Sequence, residues 1–157
     1  MKEMEKLVNL LMLKNKTISS MESCTGGFFA SEVTNISGAS EVLKFSAVTY
    51  SNEYKIKMGV DKDIIDKYSV YSIEVAKDMS KKISDYSCSD YGVGITGKIN
   101  RVDKNNMCGS DNIVFVCVYD KNSDKFYTLS IEVLDISRED NKKMIVRNIV
   151  KLLLSIL

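Results

Sequence analysis

Apolar residues recur along this chain first at helical and then at strand spacing, and the two periods keep alternating. Met4, Leu7, Leu10 and Leu11 share one helical face and predict a helix from about Lys2 to Leu13. After the polar break Lys14-Asn15-Lys16, the run Thr17-Ile18-Ser19-Ser20-Met21 reads as a short strand. Phe28, Phe29, Val33 and Ile36 then resume the helical period, and Gly38 closes it. Residues 22–27, with Gly26-Gly27, therefore form a strand-to-helix turn whose backbone N–H groups point outward.

Residues 42–50 are β-rich and predict a strand. Ser51-Asn52 caps a short helix carrying Tyr54, Lys55 and Met58, which Gly59 ends. Two further helices span residues 61–68 and 72–86, the second with an apolar stripe of Ile73, Ala76, Met79 and Ile83. Residues 91–96 read as a buried strand, followed by a polar stretch over 98–111. Residues 113–119 and 126–133 make an antiparallel pair turning through 120–125. Ser137-Arg138-Glu139-Asp140 opens a last helix, with Met144, Ile145, Ile149, Leu152 and Leu153 on its apolar face. Interleaved helices and strands followed by a late hairpin predict an α/β fold, a three-layer α/β/α sandwich with a mixed β-sheet. No repeat or linker divides the chain, so residues 1–157 read as one domain.

Composition narrows the chemistry. The chain has 157 residues, with 22 Lys and Arg against 21 Asp and Glu, a formal charge of +1. That balance argues against a nucleic-acid partner. There is no His, which removes every imidazole base and every His metal ligand. The cysteines Cys24, Cys88, Cys108 and Cys117 have neither zinc-type spacing nor the density of a disulfide framework. No run approaches the roughly 18 apolar residues of a membrane span. The expectation is a cytoplasmic protein with reduced thiols, no membrane association, no metal and no cofactor; homo-oligomerisation stays open.

Four segments could carry chemistry. Glu22-Ser23-Cys24-Thr25-Gly26-Gly27 puts a nucleophile on a strand-to-helix turn, although the same string also serves as a cap and tight turn. Tyr50-Ser51-Asn52-Glu53-Tyr54-Lys55 carries a lysine that, on spacing alone, would reach to solvent. Gly92-Val93-Gly94-Ile95-Thr96-Gly97 could bring backbone close to a ligand or simply pack closely. Arg138 could hold phosphate by its guanidinium fork or be a solvated surface residue.

In order and spacing, the strings Glu22–Gly27, Tyr50-Ser-Asn-x-x-Lys55 with Gly59-Val60, and Gly94-Ile-Thr-Gly97 together resemble the CinA carboxy-terminal domain family. That is the family of nicotinamide-nucleotide amidohydrolases, or nicotinamide mononucleotide deamidases. The resemblance runs from about Thr17 to Arg147 and implies a stand-alone form, without the molybdopterin-binding-like domain of longer relatives.

It also implies hydrolysis of the carboxamide of nicotinamide mononucleotide to nicotinic acid mononucleotide and ammonia. Carried onto this chain, Ser23 is the nucleophile and Lys55 its base, a pairing that suits an amidase without His. The ordinary lysine pKa of about 10.4 would have to fall toward roughly 7–8 for that role. The implied substrate-binding set is Thr25, Gly26, Gly27, Tyr50, Thr96 and Arg138, with amides of residues 25–27 as the oxyanion hole and Arg138 on the phosphate. Where relatives continue Gly-Ile-Ala-Gly-Pro into a glycine-rich loop, this chain reads Thr96-Gly97-Lys98-Ile99-Asn100-Arg101 and stays charged through Asn106. The second reading is therefore a nucleotide-binding domain of the same fold with weak or no catalysis.

Overall fold

Five strands, β1 (Ile18–Glu22), β2 (Leu43–Val48), β3 (Tyr91–Gly97), β4 (Ile113–Asp120) and β5 (Lys125–Glu132), form one mixed sheet ordered β2-β1-β3-β4-β5 in the computed structural model. The structure describes residues 2–100 and 111–157; Cys108 and residues 101–106 of the charged stretch lie outside them. β1 pairs in parallel with β2 and β3, while β3, β4 and β5 run antiparallel. Helices α1 (Lys2–Leu13), α2 (Phe28–Thr34) and α6 (Arg138–Ile156) cover one face. There Leu7, Phe29, Ile145 and Ile149 pack on Val93, Ile95, Val114 and Val116. On the other face lie α3 (Asn52–Lys57), α4 (Lys62–Tyr68) and α5 (Ile73–Ser87), where Ile65, Val75, Met79 and Ile83 pack with Met21. The three-layer α/β/α sandwich is thus present, with element ends within a few residues of those the pattern predicts.

Local chemistry explains the boundaries. The Ser51, Ser72 and Ser137 hydroxyls accept the amides of Tyr54, Val75 and Asp140 and so start α3, α5 and α6. Gly92 and Gly94 turn out to be packing glycines: a Cβ there would run into the carbonyl oxygens of Ser80 and Ala76, so α5 lies directly on β3. The first strand departs from simple alternation. All of Ile-Ser-Ser-Met-Glu is buried, because β1 is central and covered on both faces. Its polar groups are matched internally, Ser19 with Ser89 at 2.6 Å and Ser20 with Ser46 at 2.8 Å. From β1 the chain leaves to α2 on one face, and from β2 it leaves to α3 on the other. The carboxyl ends of these neighbouring parallel strands are therefore a switch point, the place where open α/β sheets leave a crevice.

Candidate active site

The turn after β1 is built by Glu22. Its fully buried carboxylate accepts the Thr25 hydroxyl at 2.7 Å, the amides of Phe29 and Ala30 at 3.0 Å each, and the Ser20 hydroxyl at 3.0 Å. A carboxylate at the start of α2 satisfies amides that no helical carbonyl can reach. Gly26 at φ +61° and Gly27 at φ +93° then bend the chain through the left-handed region, where a side chain would be strained. The Gly26 amide closes the turn onto the Ser23 carbonyl at 2.9 Å. The amides of Thr25 and Gly27 have no internal partner among the described residues. They are the donors left over for an anion.

Ser23 is held in place by its own amide, which donates to the Ile95 carbonyl of β3 at 3.0 Å. Across the switch point, Lys55 comes from α3, only 2% exposed. Its Nζ donates to Ser23 Oγ at 3.1 Å and to the Thr49 carbonyl at 2.8 Å. The expectation from spacing, that such a lysine reaches to solvent, gives way because the Ser51 cap turns α3 back over the end of β1. Thr49 is the residue that sequence reasoning missed. It continues the β1–β2 ladder, its amide donating to the Glu22 carbonyl at 2.8 Å, and so sits beside Ser23. Its buried hydroxyl has no partner among the described residues.

The neighbouring thiol behaves differently. Burial pushes Cys24 up to about 12, against the opposing pull of the Lys55 and Arg138 charges, so it remains a neutral thiol at ordinary pH. The same balance places the Arg138 charge within electrostatic range of the turn. The Arg138 Nη1 donates to the Ile99 carbonyl at 2.7 Å, just past the end of β3.

The remaining expected residues fall in different settings. Thr25 lies in the turn with its hydroxyl committed to Glu22. Thr96, next to Ser23 through β3, is fully buried and gives its hydroxyl to the Val70 carbonyl at 2.9 Å. Tyr50 is 65% exposed just beyond β2. Lys98 is folded inward rather than out. Its Nζ lies 3.1 Å from Asp111 Oδ1 and 4.8 Å from the centre of the Tyr71 ring. A second residue without a sequence signal of its own is Lys142, whose Nζ is 3.6 Å from where a Cβ on Gly26 would sit. Among the described residues no group of His, Cys, Asp and Glu is placed to hold a metal ion, and no helix is long and apolar enough to cross a membrane.

Comparison with known proteins agrees with this architecture. A provisionally named competence-damage inducible protein of Clostridium kluyveri is 49% identical over 94 residues, 59% of this chain and 23% of the relative. A CinA-like protein of Kosmotoga olearia is 43% identical over 94 residues, with the same coverage. The matched stretch thus spans about a quarter of the length of these curated relatives. Among solved structures, a competence-damaged protein (CinA) superfamily protein from Escherichia coli superposes with a TM-score of 0.87 at 22% identity, over 99% of this chain and 88% of that one. A competence or damage-inducible protein from Enterobacter asburiae gives 0.88 at 18% identity, over 99% and 97%. The family model of the CinA C-terminal domain matches residues 1–157, and the chain belongs to that family.

Proposed function

We propose that this chain is a metal-independent amidohydrolase that releases ammonia from the carboxamide of nicotinamide mononucleotide. The observation that carries the reading is the buried Lys55 Nζ at 3.1 Å from Ser23 Oγ. In the scheme, neutral Lys55 takes the Ser23 proton as Oγ attacks the amide carbon. The Thr25 and Gly27 amides receive the developing oxyanion. The protonated Lys55 then passes its proton to the leaving nitrogen, and water hydrolyses the acyl-serine by the same route reversed. The scheme uses the amine of Lys55 in its neutral form. The Thr49 carbonyl keeps Nζ aimed along this line. Arg138 takes the substrate phosphate, Tyr50 borders the cleft with Thr96 backing it from β3, and residues 1–157 work as one domain, in the cytoplasm and without a cofactor.

A second reading, a nucleotide-binding domain with little catalysis, is favoured by one feature. Thr25 and Thr96 give their hydroxyls to the protein itself, and Lys98 is buried just past the end of β3. Ammonia release from nicotinamide mononucleotide by the purified protein decides between the two. Turnover that disappears in Ser23→Ala supports the hydrolase; binding of the nucleotide without any ammonia overturns it.

A further inference from the structure

Among the described residues, the Thr49 hydroxyl is the buried side-chain polar group left without a hydrogen-bond partner. The fold gains nothing from it: a valine would fill the same space, and a hydroxyl withdrawn from water without a partner is a cost. The strand sets its direction. Ala47 packs against the cluster of Met21, Val75 and Met79, whereas Val48 Cγ2 lies 3.2 Å from where a Cβ on Gly27 would sit, on the α2 side. Alternation then returns the Thr49 side chain to the face of the sheet from which α3 delivers Lys55. The backbone of Thr49 is fixed on both sides. Its amide donates to the Glu22 carbonyl at 2.8 Å, and its carbonyl accepts from Lys55 Nζ at 2.8 Å.

We propose that Thr49 is a positioning residue for the second half of the reaction, its hydroxyl taking up Lys55 Nζ once Ser23 is acylated. The proposal rests on the hydrolase reading. In the resting site Nζ donates to Ser23 Oγ at 3.1 Å. Acylation turns that oxygen into an ester oxygen, a poor acceptor. Nζ then pivots on the Thr49 carbonyl to the hydroxyl of the same residue and stays beside the acyl group. From there it takes one proton from a water molecule whose oxygen attacks the acyl carbon. The bond from that carbon to Ser23 Oγ breaks, Oγ receives the proton from Nζ, and the carboxylic acid leaves. An interaction made only at this stage speeds the step without tightening the resting complex.

A p-nitrophenyl ester of nicotinic acid mononucleotide separates the two halves, because an activated ester acylates fast and leaves hydrolysis of the acyl-serine to limit the steady rate. Nitrophenol release then shows a burst from acylation and a steady phase from deacylation. Thr49→Val should keep the burst rate, slow the steady phase roughly tenfold and let acyl-Ser23 accumulate in the intact mass spectrum. It should also melt no lower than the wild type. Thr49→Ala should split the two phases in the same way, and Thr49→Ser, which keeps the hydroxyl, should restore the steady phase. A steady phase unchanged in Thr49→Val, or a loss shared equally by burst and steady phase, overturns the proposal. A wild-type protein with neither burst nor acyl-Ser23 removes the hydrolase reading and the proposal with it.

Discussion

The parallel and antiparallel halves of the sheet are built from opposite kinds of residue. β1, at the centre of the parallel half, buries Ser19, Ser20 and Glu22, and the ends of that half bury Ser23, Thr49 and Lys55. β4, at the centre of the antiparallel half, buries Val114, Val116 and Val118 against α6 and its neighbours. Burial of valine is non-directional and stabilises almost any close packing. Burial of a hydroxyl, carboxylate or ammonium is tolerated only where partners are placed to meet it. The parallel half therefore specifies positions to within a hydrogen bond, and that is what a Ser–Lys pair needs. The antiparallel half contributes mass and apolar area. The two buried thiols show the same division: both are raised by burial, Cys24 to about 12 and Cys117 to about 11, but only Cys24 feels the Lys55 and Arg138 charges of the site.

The sharpest way to break this comparison is to remove the polar pair. Ser23→Ala and Lys55→Met should each lower turnover by about 10,000-fold or more, with the double variant little worse, since groups acting as a unit are not additive. Lys55→Arg should fail as well, because a guanidinium keeps its proton. Thermal melting should show all of these variants folded. A Ser23→Ala protein with full activity would transfer the chemistry elsewhere.

Next in size is a packing change in the shared strand. Gly94→Ala puts a Cβ into the Ala76 carbonyl oxygen of α5, which should cost at least about 3 kcal/mol in denaturant unfolding. The helix backbone cannot yield as a side-chain tip would. A smaller effect concerns Asp90, which ties the starts of β1 and β3 together. Burial by itself would raise its carboxyl, but the Thr17 amide and hydroxyl, Asn122 and the Lys16 charge outweigh that and hold it below its usual value. A depressed folded-state value means that Asp90 stabilises the protein above the ordinary aspartate range. That contribution is lost as pH falls through the folded value. Asp90→Asn should cost about 1 kcal/mol at pH 7 and progressively less near pH 3. An equal cost at both pH values would remove the charge from the explanation.

The smallest effect is expected at Cys24. Cys24→Ala should keep most of the activity, and mass spectrometry after iodoacetamide treatment at pH 8 should find exposed Cys88 labelled well before Cys24. Rapid labelling of Cys24, with loss of turnover, would make the thiol the reactive group and undo the contrast with Cys117.

Periodicity and capping residues alone determined much of this protein. The helical stripes, the β-rich runs and the Ser51 and Ser137 caps are local features, set by neighbours a few residues away, and they appear where the pattern places them. The Ser23–Lys55 pairing was legible only through resemblance, since 32 residues separate the two and spacing alone sends the lysine to solvent. Tertiary structure decided the rest. The order β2-β1-β3 brought Thr49 beside Ser23 and gave Lys55 its carbonyl. The return of α6 carried Arg138 and Lys142 to a turn more than a hundred residues earlier in the chain. The close approach of α5 to β3 turned a ligand-like glycine string into a packing surface. The physical reason is range. Helix and turn preferences act within a few residues, whereas a buried polar partner or a close backbone contact depends on what the fold delivers from elsewhere in the sequence.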